Sequence, residues 1–315
     1  MATVVTFGEA MLRLSPPGRQ RLEQARSLEL WPAGSELNVA VGLARLGTTC
    51  AWVSRLPSTP LGRAVDAHAR AHGVDTSFVQ WSEDARLGLY FVEVADPPRS
   101  SSALYDRAES AFATLDPEAF GWTAILEGTD AFHVSGITPA LSESCARATA
   151  DALTAARAAG CHTSYDVNLR RLLTTPERAA EHLESVAGLL DAVLCSQHDA
   201  LALFAVGEAE ALRDRLGVPL VVLSWATDTG RARAAVGETI EELRREEYQA
   251  VDPIGSGDAF AAGFLHGLLT ADLRRALELG DAASALKLTI PGDAPVITPE
   301  EVDALLGSTE ARVHR

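Results

Sequence analysis

Val251 to Leu269 reads VDPIGSGDAFAAGFLHGLL: two glycines flank a serine, an aspartate follows, and a strongly apolar helix pattern begins at once. Small residues let a backbone approach a ligand closely and turn sharply into a helix. The amides of Ile254 to Asp258 would then point outward at the positive end of the helix dipole and form an anion site. Asp258 falls in the first turn, at the same place. Amides that stabilise charge on a transferring group, next to a carboxylate that accepts a hydroxyl proton, suit phosphoryl transfer. The same residues also suit an ordinary glycine-rich helix start with a dipole-favoured aspartate. The stretch is not a Walker loop, because no GKS or GKT follows. Nor does the first strand end in a dinucleotide fingerprint, since Gly8 precedes Glu9, Ala10 and Met11.

Upstream of this stretch the pattern is that of a parallel sheet. Thr3–Phe7 is a strand candidate, and Glu36–Leu46 reads as a helix with Ser35 as its cap and Gly47 as its stop. Ala51–Ser54 is a strand and Leu61–His72 a helix. From about Asp130 the alternation is regular: AFHV, the Ser142–Ala159 helix, HTSYDV, the Pro176–Leu190 helix and AVLC. It continues with helices over Gln197–Phe204 and Glu208–Leu216, then PLVVL. Strands alternating with such helices predict a parallel sheet covered on both faces. Two early segments, about 9–33 and 86–115, are irregular and β-rich, as in the alternation of LGLYFVEV, and predict a small β excursion. After Asp252 the chain reads as helical.

The 315 residues fit one large α/β domain, and an apolar content of 47% is enough for a sizeable core. A net charge of −16 excludes a counterion-displacing nucleic-acid surface. Anionic ligands would then need local help from a helix N-terminus, arginines and a metal ion. Cys50, Cys145, Cys161 and Cys195 are far apart with no metal-ligand spacing, which reads as buried thiols of a reducing compartment. No secretory leader and no membrane span is visible, so a cytoplasmic location is expected.

DPIGSGDAFAAGF resembles the C-terminal signature of the ribokinase (PfkB) family of carbohydrate kinases, and PAGSELNVAVGLARLG (Pro32–Gly47) resembles its N-terminal signature. Within the family the chain is most similar to 2-keto-3-deoxygluconate kinases, through GEAMLRLSPPG, WVSRLPSTPLGR, LGLYFVE, YDRAESAF, HVSGITPALS and YDVNLRRLL. The resemblance implies a Rossmann-like three-layer α/β sandwich, with a small β-sheet lid often used for dimer contact. It implies ATP-dependent phosphorylation of 2-keto-3-deoxygluconate or a close sugar acid at its terminal hydroxyl, with Mg²⁺ on the phosphates. Asp258 falls on the base, and Gly255, Ser256 and Gly257 on the anion hole. Gly34 and Asn38 fall on the sugar loop, and Tyr90, Tyr105, Arg107 and Arg170 on positions that hold the keto acid. A carboxylate substrate suits arginine, which meets it with two parallel hydrogen bonds. Asp166 and Asn168 are plausible supporting groups.

Several positions depart from the family pattern. The run SWATDTGRA (Ser224–Ala232), which borders the nucleotide, has no lysine and only Gly230. Pro57 and Ser58 replace a Gly-Asp pair near the sugar, and Ala33 replaces a glycine. Ser196 and Asp199 stand where the family has Asn-x-x-Glu by the magnesium and phosphates, so Asp199 is expected to order metal-bound water. Two other readings remain: a neutral-sugar kinase of fructokinase or ribokinase type, and a sugar-acid binding protein with weak ATP use.

Overall fold

The computed structural model describes residues 3–95, 98–224, 231–244, 248 and 250–313. Its strands are β1 (Thr3–Phe7), β2 (Met11–Ser15), β3 (Glu29–Ala33), β4 (Thr49–Pro57), β5 (Val79–Ser82), β6 (Gly88–Glu93) and β7 (Ser102–Asp106). They continue with β8 (Ala131–Ser135), β9 (His162–Asp166), β10 (Ala192–Ser196), β11 (Leu220–Ser224), β12 (Arg231–Val236) and β13 (Thr239–Arg244). A nine-stranded sheet runs in the order β13-β12-β11-β10-β9-β8-β1-β4-β5. It is parallel from β11 to β5, and β12 and β13 add an antiparallel edge.

Strand residues alternate between two cores because successive side chains point to opposite faces. Val5, Phe7, Val53, Val134, Val193 and Val221 pack under the helices Glu143–Ala159, Pro176–Val186 and Ala209–Leu216. Val4, Trp52, Leu194 and Val222 face the other way, against Ser35–Arg45, Ser256–Thr270 and Leu273–Lys287. The result is the three-layer arrangement expected of a parallel α/β sheet. Ser256–Thr270 is buried from Asp258 to Leu265 and again at Gly267, and glycines let its neighbours approach. A Cβ on Gly263 would lie 2.4 Å from the Leu279 carbonyl oxygen.

The two early irregular segments form a second sheet, in the order β3-β2-β6-β7. Chain order reverses at β1, with β4 on one side and β8 on the other. The carboxyl ends of the strands beside such a reversal are where open α/β sheets bind ligands.

Three local readings need correction. The Ser35–Arg45 helix is capped at Gly34, and the Ser35 hydroxyl, expected to cap it, points elsewhere. The Pro176 helix ends at Val186 and tightens into a 3₁₀ turn over Ala187–Leu189. The β12–β13 hairpin was not expected. Glu238, Glu242 and Arg244 are exposed along it, and its buried positions, Ala232, Ala234 and Ala235, are alanines, so the apolar signal is weak.

Candidate active site

Gly255 has φ 85 and sits immediately before the Ser256–Thr270 helix. Any side chain is excluded there twice over: the left-handed backbone disfavours L residues, and a Cβ would lie 2.0 Å from the Asp293 carbonyl oxygen. The turn delivers Ser256, Gly257 and Asp258 into the first helical turn, where amides lack intrahelical partners and attract anions. Of the amides expected to point outward, that of Ser256 donates to the Pro253 carbonyl at 3.4 Å and that of Ile254 to Asp252.

The Asp258 carboxylate is 8% exposed and held from both sides. Ser35 Oγ donates to Oδ1 at 2.8 Å, and Asn38 Nδ2 donates to Oδ2 at 2.7 Å. Asn168 Nδ2 in turn donates to Ser35 Oγ at 3.0 Å. Burial raises the Asp258 pKa above the ordinary aspartate value, while the Asn38 and Ser35 donors and the nearby Arg170 charge oppose the rise. A buried, oriented carboxylate of raised basicity has the properties of a general base.

Two cavities meet at Asp258. The smaller, of about 70 Å³, is lined by Gly34, Asn38, Tyr90, Tyr105, Arg107 and Arg170, together with Glu9, Gly255 and Asp293. Its roof comes from the small sheet, where Tyr90 and Tyr105 stack with centroids 5.5 Å apart. Among the described residues, the Asn38 Oδ1 atom is buried without a partner, so this acceptor is free for a ligand hydroxyl.

The two arginines differ sharply. Arg107 is 7% exposed and its guanidinium is paired with Glu9, through Nε at 2.8 Å and through Nη2. Ser110 donates to the other oxygen of Glu9. Among the described residues Arg170 makes one long hydrogen bond, 3.5 Å, to the Leu169 carbonyl, and its charge acts on Asp258 and Asp166. Arg107 and Arg170, both expected to hold the keto acid, both line the smaller cavity; Arg107 already has a carboxylate partner in Glu9, which leaves Arg170 the more open to an anion.

Sequence reasoning did not single out Glu9, Arg13, Asp252 or Asp293. Arg13 is 2% exposed and reaches both Asp252 and Asp293 at 2.7 Å. Tyr90 donates its hydroxyl to Asp293. Asp252 accepts from the Ile254 amide at 3.2 Å and the Gly292 amide at 3.1 Å. This buried set ties the glycine loop to the 292–293 turn.

The larger cavity, about 470 Å³, opens at the ends of β9, β10 and β11. Asp166, Ser196, Asp199, Ser224, Ser256 and Gly257 line it, and it shares Arg170, Gly255 and Asp258 with the smaller cavity. Ser196 caps the Gln197–Phe204 helix by accepting from the Asp199 amide at 3.0 Å. Burial, together with the charges of Asp258 and Asp199, drives the Asp166 pKa well up. That excess of negative charge and the hard oxygen donors fit a divalent cation bound through water or phosphate. Among the described residues no three acidic, histidine or cysteine side chains form a ready-made metal cage. Gly230 lies outside the described residues. A separate cavity of about 370 Å³ beside the Glu143–Ala159 helix contains none of the expected site residues.

The four cysteines are free and buried. No helix among the described residues is long and apolar enough to cross a membrane.

Residues 1–300 match the sequence pattern of the pfkB family carbohydrate kinases. A 2-dehydro-3-deoxygalactonokinase of Haloferax volcanii is 41% identical over 100% of this chain and 99% of its own length. A 2-dehydro-3-deoxygluconokinase of Thermoproteus tenax is 30% identical over 97% of this chain and 94% of its own. The crystal structure of a 2-dehydro-3-deoxygluconokinase from Thermotoga maritima superposes with a TM-score of 0.92 at 33% identity, covering 98% of this chain and 100% of that one.

Proposed function

The chain belongs to the pfkB family of carbohydrate kinases, and on that premise we propose that it transfers the γ-phosphoryl of ATP to the terminal hydroxyl of a 2-keto-3-deoxy sugar acid. The observation that carries this reading is the place of Asp258, at a helix N-terminus where a small polar cavity meets a larger one. We assign the sugar acid to the side of the smaller cavity and ATP to the larger.

In this arrangement Asp258 accepts the proton of the sugar hydroxyl as its oxygen bonds to the γ-phosphorus. The bond from that phosphorus to the bridging oxygen breaks, and ADP leaves. The amides from Gly255 to Asp258 stabilise the charge on the transferring group. Ser35 and Asn38 aim the carboxylate. Ser196 and Ser224 would border the nucleotide, and Asp166 and Asp199 would hold Mg²⁺ or its waters. When bound, Mg²⁺ supplies charge neutralisation across the ATP phosphates.

Arg170 favours an acid over a neutral sugar, because its guanidinium, exposed at the cavity and without an ion pair among the described residues, can meet a carboxylate with two parallel hydrogen bonds. Tyr90, Tyr105, Gly34 and the free oxygen of Asn38 suit the hydroxyls and keto group. Arg107 shapes the wall through Glu9. The relatives' names divide between the gluconate and galactonate acids, which differ only at C4, so the proposal covers the pair. The four buried thiols support a cytoplasmic location. Leu30 and Leu104, 54% and 65% exposed on the edge strands of the small sheet, favour self-association there.

The test is ADP release with ATP and Mg²⁺ across both keto-deoxy acids, gluconate, fructose, ribose and adenosine. Turnover centred on the keto-deoxy acids supports the proposal. Preference for a neutral sugar would keep the mechanism and replace the substrate. Saturable binding of an acid with no turnover would favour a binding protein.

A further inference from the structure

Of the 27 lysines and arginines in the chain, a single one, Lys287, is a lysine. It closes the Leu273–Lys287 helix and is 0% exposed. Its Nζ donates to the Asp252 carbonyl at 3.2 Å and the Ile290 carbonyl at 3.0 Å. Asp252 leads into the Pro253–Gly257 turn. Ile290 leads to Asp293, whose carbonyl closes over Gly255. The ammonium thus joins the two segments that shape the anion-binding loop. With Arg13 it also balances the buried carboxylates of Asp252 and Asp293.

A lysine kept only for packing would be replaced at lower cost by an apolar side chain of similar volume, since burying an ammonium carries a desolvation penalty. In a chain that otherwise uses arginine throughout, this one exception calls for a compact point charge rather than a planar fork.

We propose that Lys287 is a positioning residue for phosphoryl transfer: a built-in monovalent cation that holds the Asp252–Gly257 loop against Asp293. The kinetic part rests on the function proposed above.

The test compares Lys287→Met with the wild type in two readouts, using ammonium chloride as the probe and tetramethylammonium chloride to hold ionic strength constant. In the ADP-release assay, kcat of the variant falls on the order of a hundredfold while the sugar KM moves less than about threefold. Ammonium restores part of that kcat and leaves the wild type unchanged. In thermal unfolding, which needs no turnover, ammonium raises the Tm of the variant saturably and that of the wild type not at all. A variant with wild-type kcat, or one whose Tm ammonium does not raise, overturns the proposal. So does a wild type activated or stabilised by ammonium, a result readable even if Lys287→Met fails to fold. Should the wild type phosphorylate no sugar, the kinase reading fails, and the thermal arm still decides the lysine.

Discussion

The Ser35 hydroxyl donates to the Asp258 carboxylate at 2.8 Å, across 223 positions of the chain. The first residue of one signature helix therefore aims the carboxylate, which we propose as the base, in the first turn of the other. Donors to the ionised form lower a carboxyl pKa, so Ser35 opposes the rise that burial imposes on Asp258. Ser35→Ala is expected to move the acid limb of the pH profile of kcat/KM to higher pH. The alkaline plateau should fall by about tenfold or less. An unmoved acid limb would contradict this role for Ser35.

Arg170 and Arg107 should separate in their phenotypes. Arg170→Ala is expected to raise KM for the sugar acid about tenfold or more, with little change for a neutral sugar and little loss of stability. Arg107→Ala strands the buried Glu9 and should cost about 3–5 kcal/mol of stability. Thermal unfolding beside steady-state kinetics on both substrate types checks the split. Equal KM effects on acid and neutral sugars would remove the carboxylate role from Arg170.

Gly255→Ala places a methyl group in a left-handed conformation and against the Asp293 carbonyl. The backbone strain alone is about 1–2 kcal/mol. The displaced amides should lower kcat on the order of a hundredfold, more than they alter the sugar KM. Kinetics on the folded variant decide it; an unchanged kcat would mean that the loop takes no part in phosphoryl transfer.

Much of the fold was legible because its signals are local. The Val251–Leu269 stretch carries its own turn glycine and apolar helix, and each strand–helix alternation from Ala131 onward announces itself within a dozen residues. What stayed hidden depends on distance along the chain. The rule that a serine before an apolar run caps a helix is local, and it misplaced Ser35 because Asp258 competes for the hydroxyl. Arg13 and Asp293 are 280 positions apart. Glu9 and Arg107 are 98 apart, and neither sequence neighbourhood signals the pairing. The β12–β13 hairpin escaped for a different reason: its fully buried positions, Ala232, Ala234 and Ala235, carry only alanines.

Glu36 offers a test of stability that is independent of catalysis. Its carboxyl is buried and its pKa is pushed up to about 7 by burial, against the opposing donors Ser135 and Thr138. A carboxyl raised on folding contributes stability that is full below its unfolded value, near 4.5, and is lost as pH rises through about 7. The loss amounts to about 3 kcal/mol. Glu36→Gln should remove this part of the pH dependence, so the stability difference from wild type changes between those pH values and levels off above. Parallel denaturation curves at every pH would show that Glu36 does not titrate in this way.

The most direct measurement follows the phosphoryl group itself. The protein is incubated with ATP, Mg²⁺ and 2-keto-3-deoxygluconate or 2-keto-3-deoxygalactonate, beside an Asp258→Asn control, and the product is read by phosphorus NMR. The account predicts a phosphate ester at the terminal hydroxyl with the wild type and loss of that product, by about a hundredfold or more, in the variant. Undiminished product from Asp258→Asn, or no ester on either acid with the wild type, would contradict it.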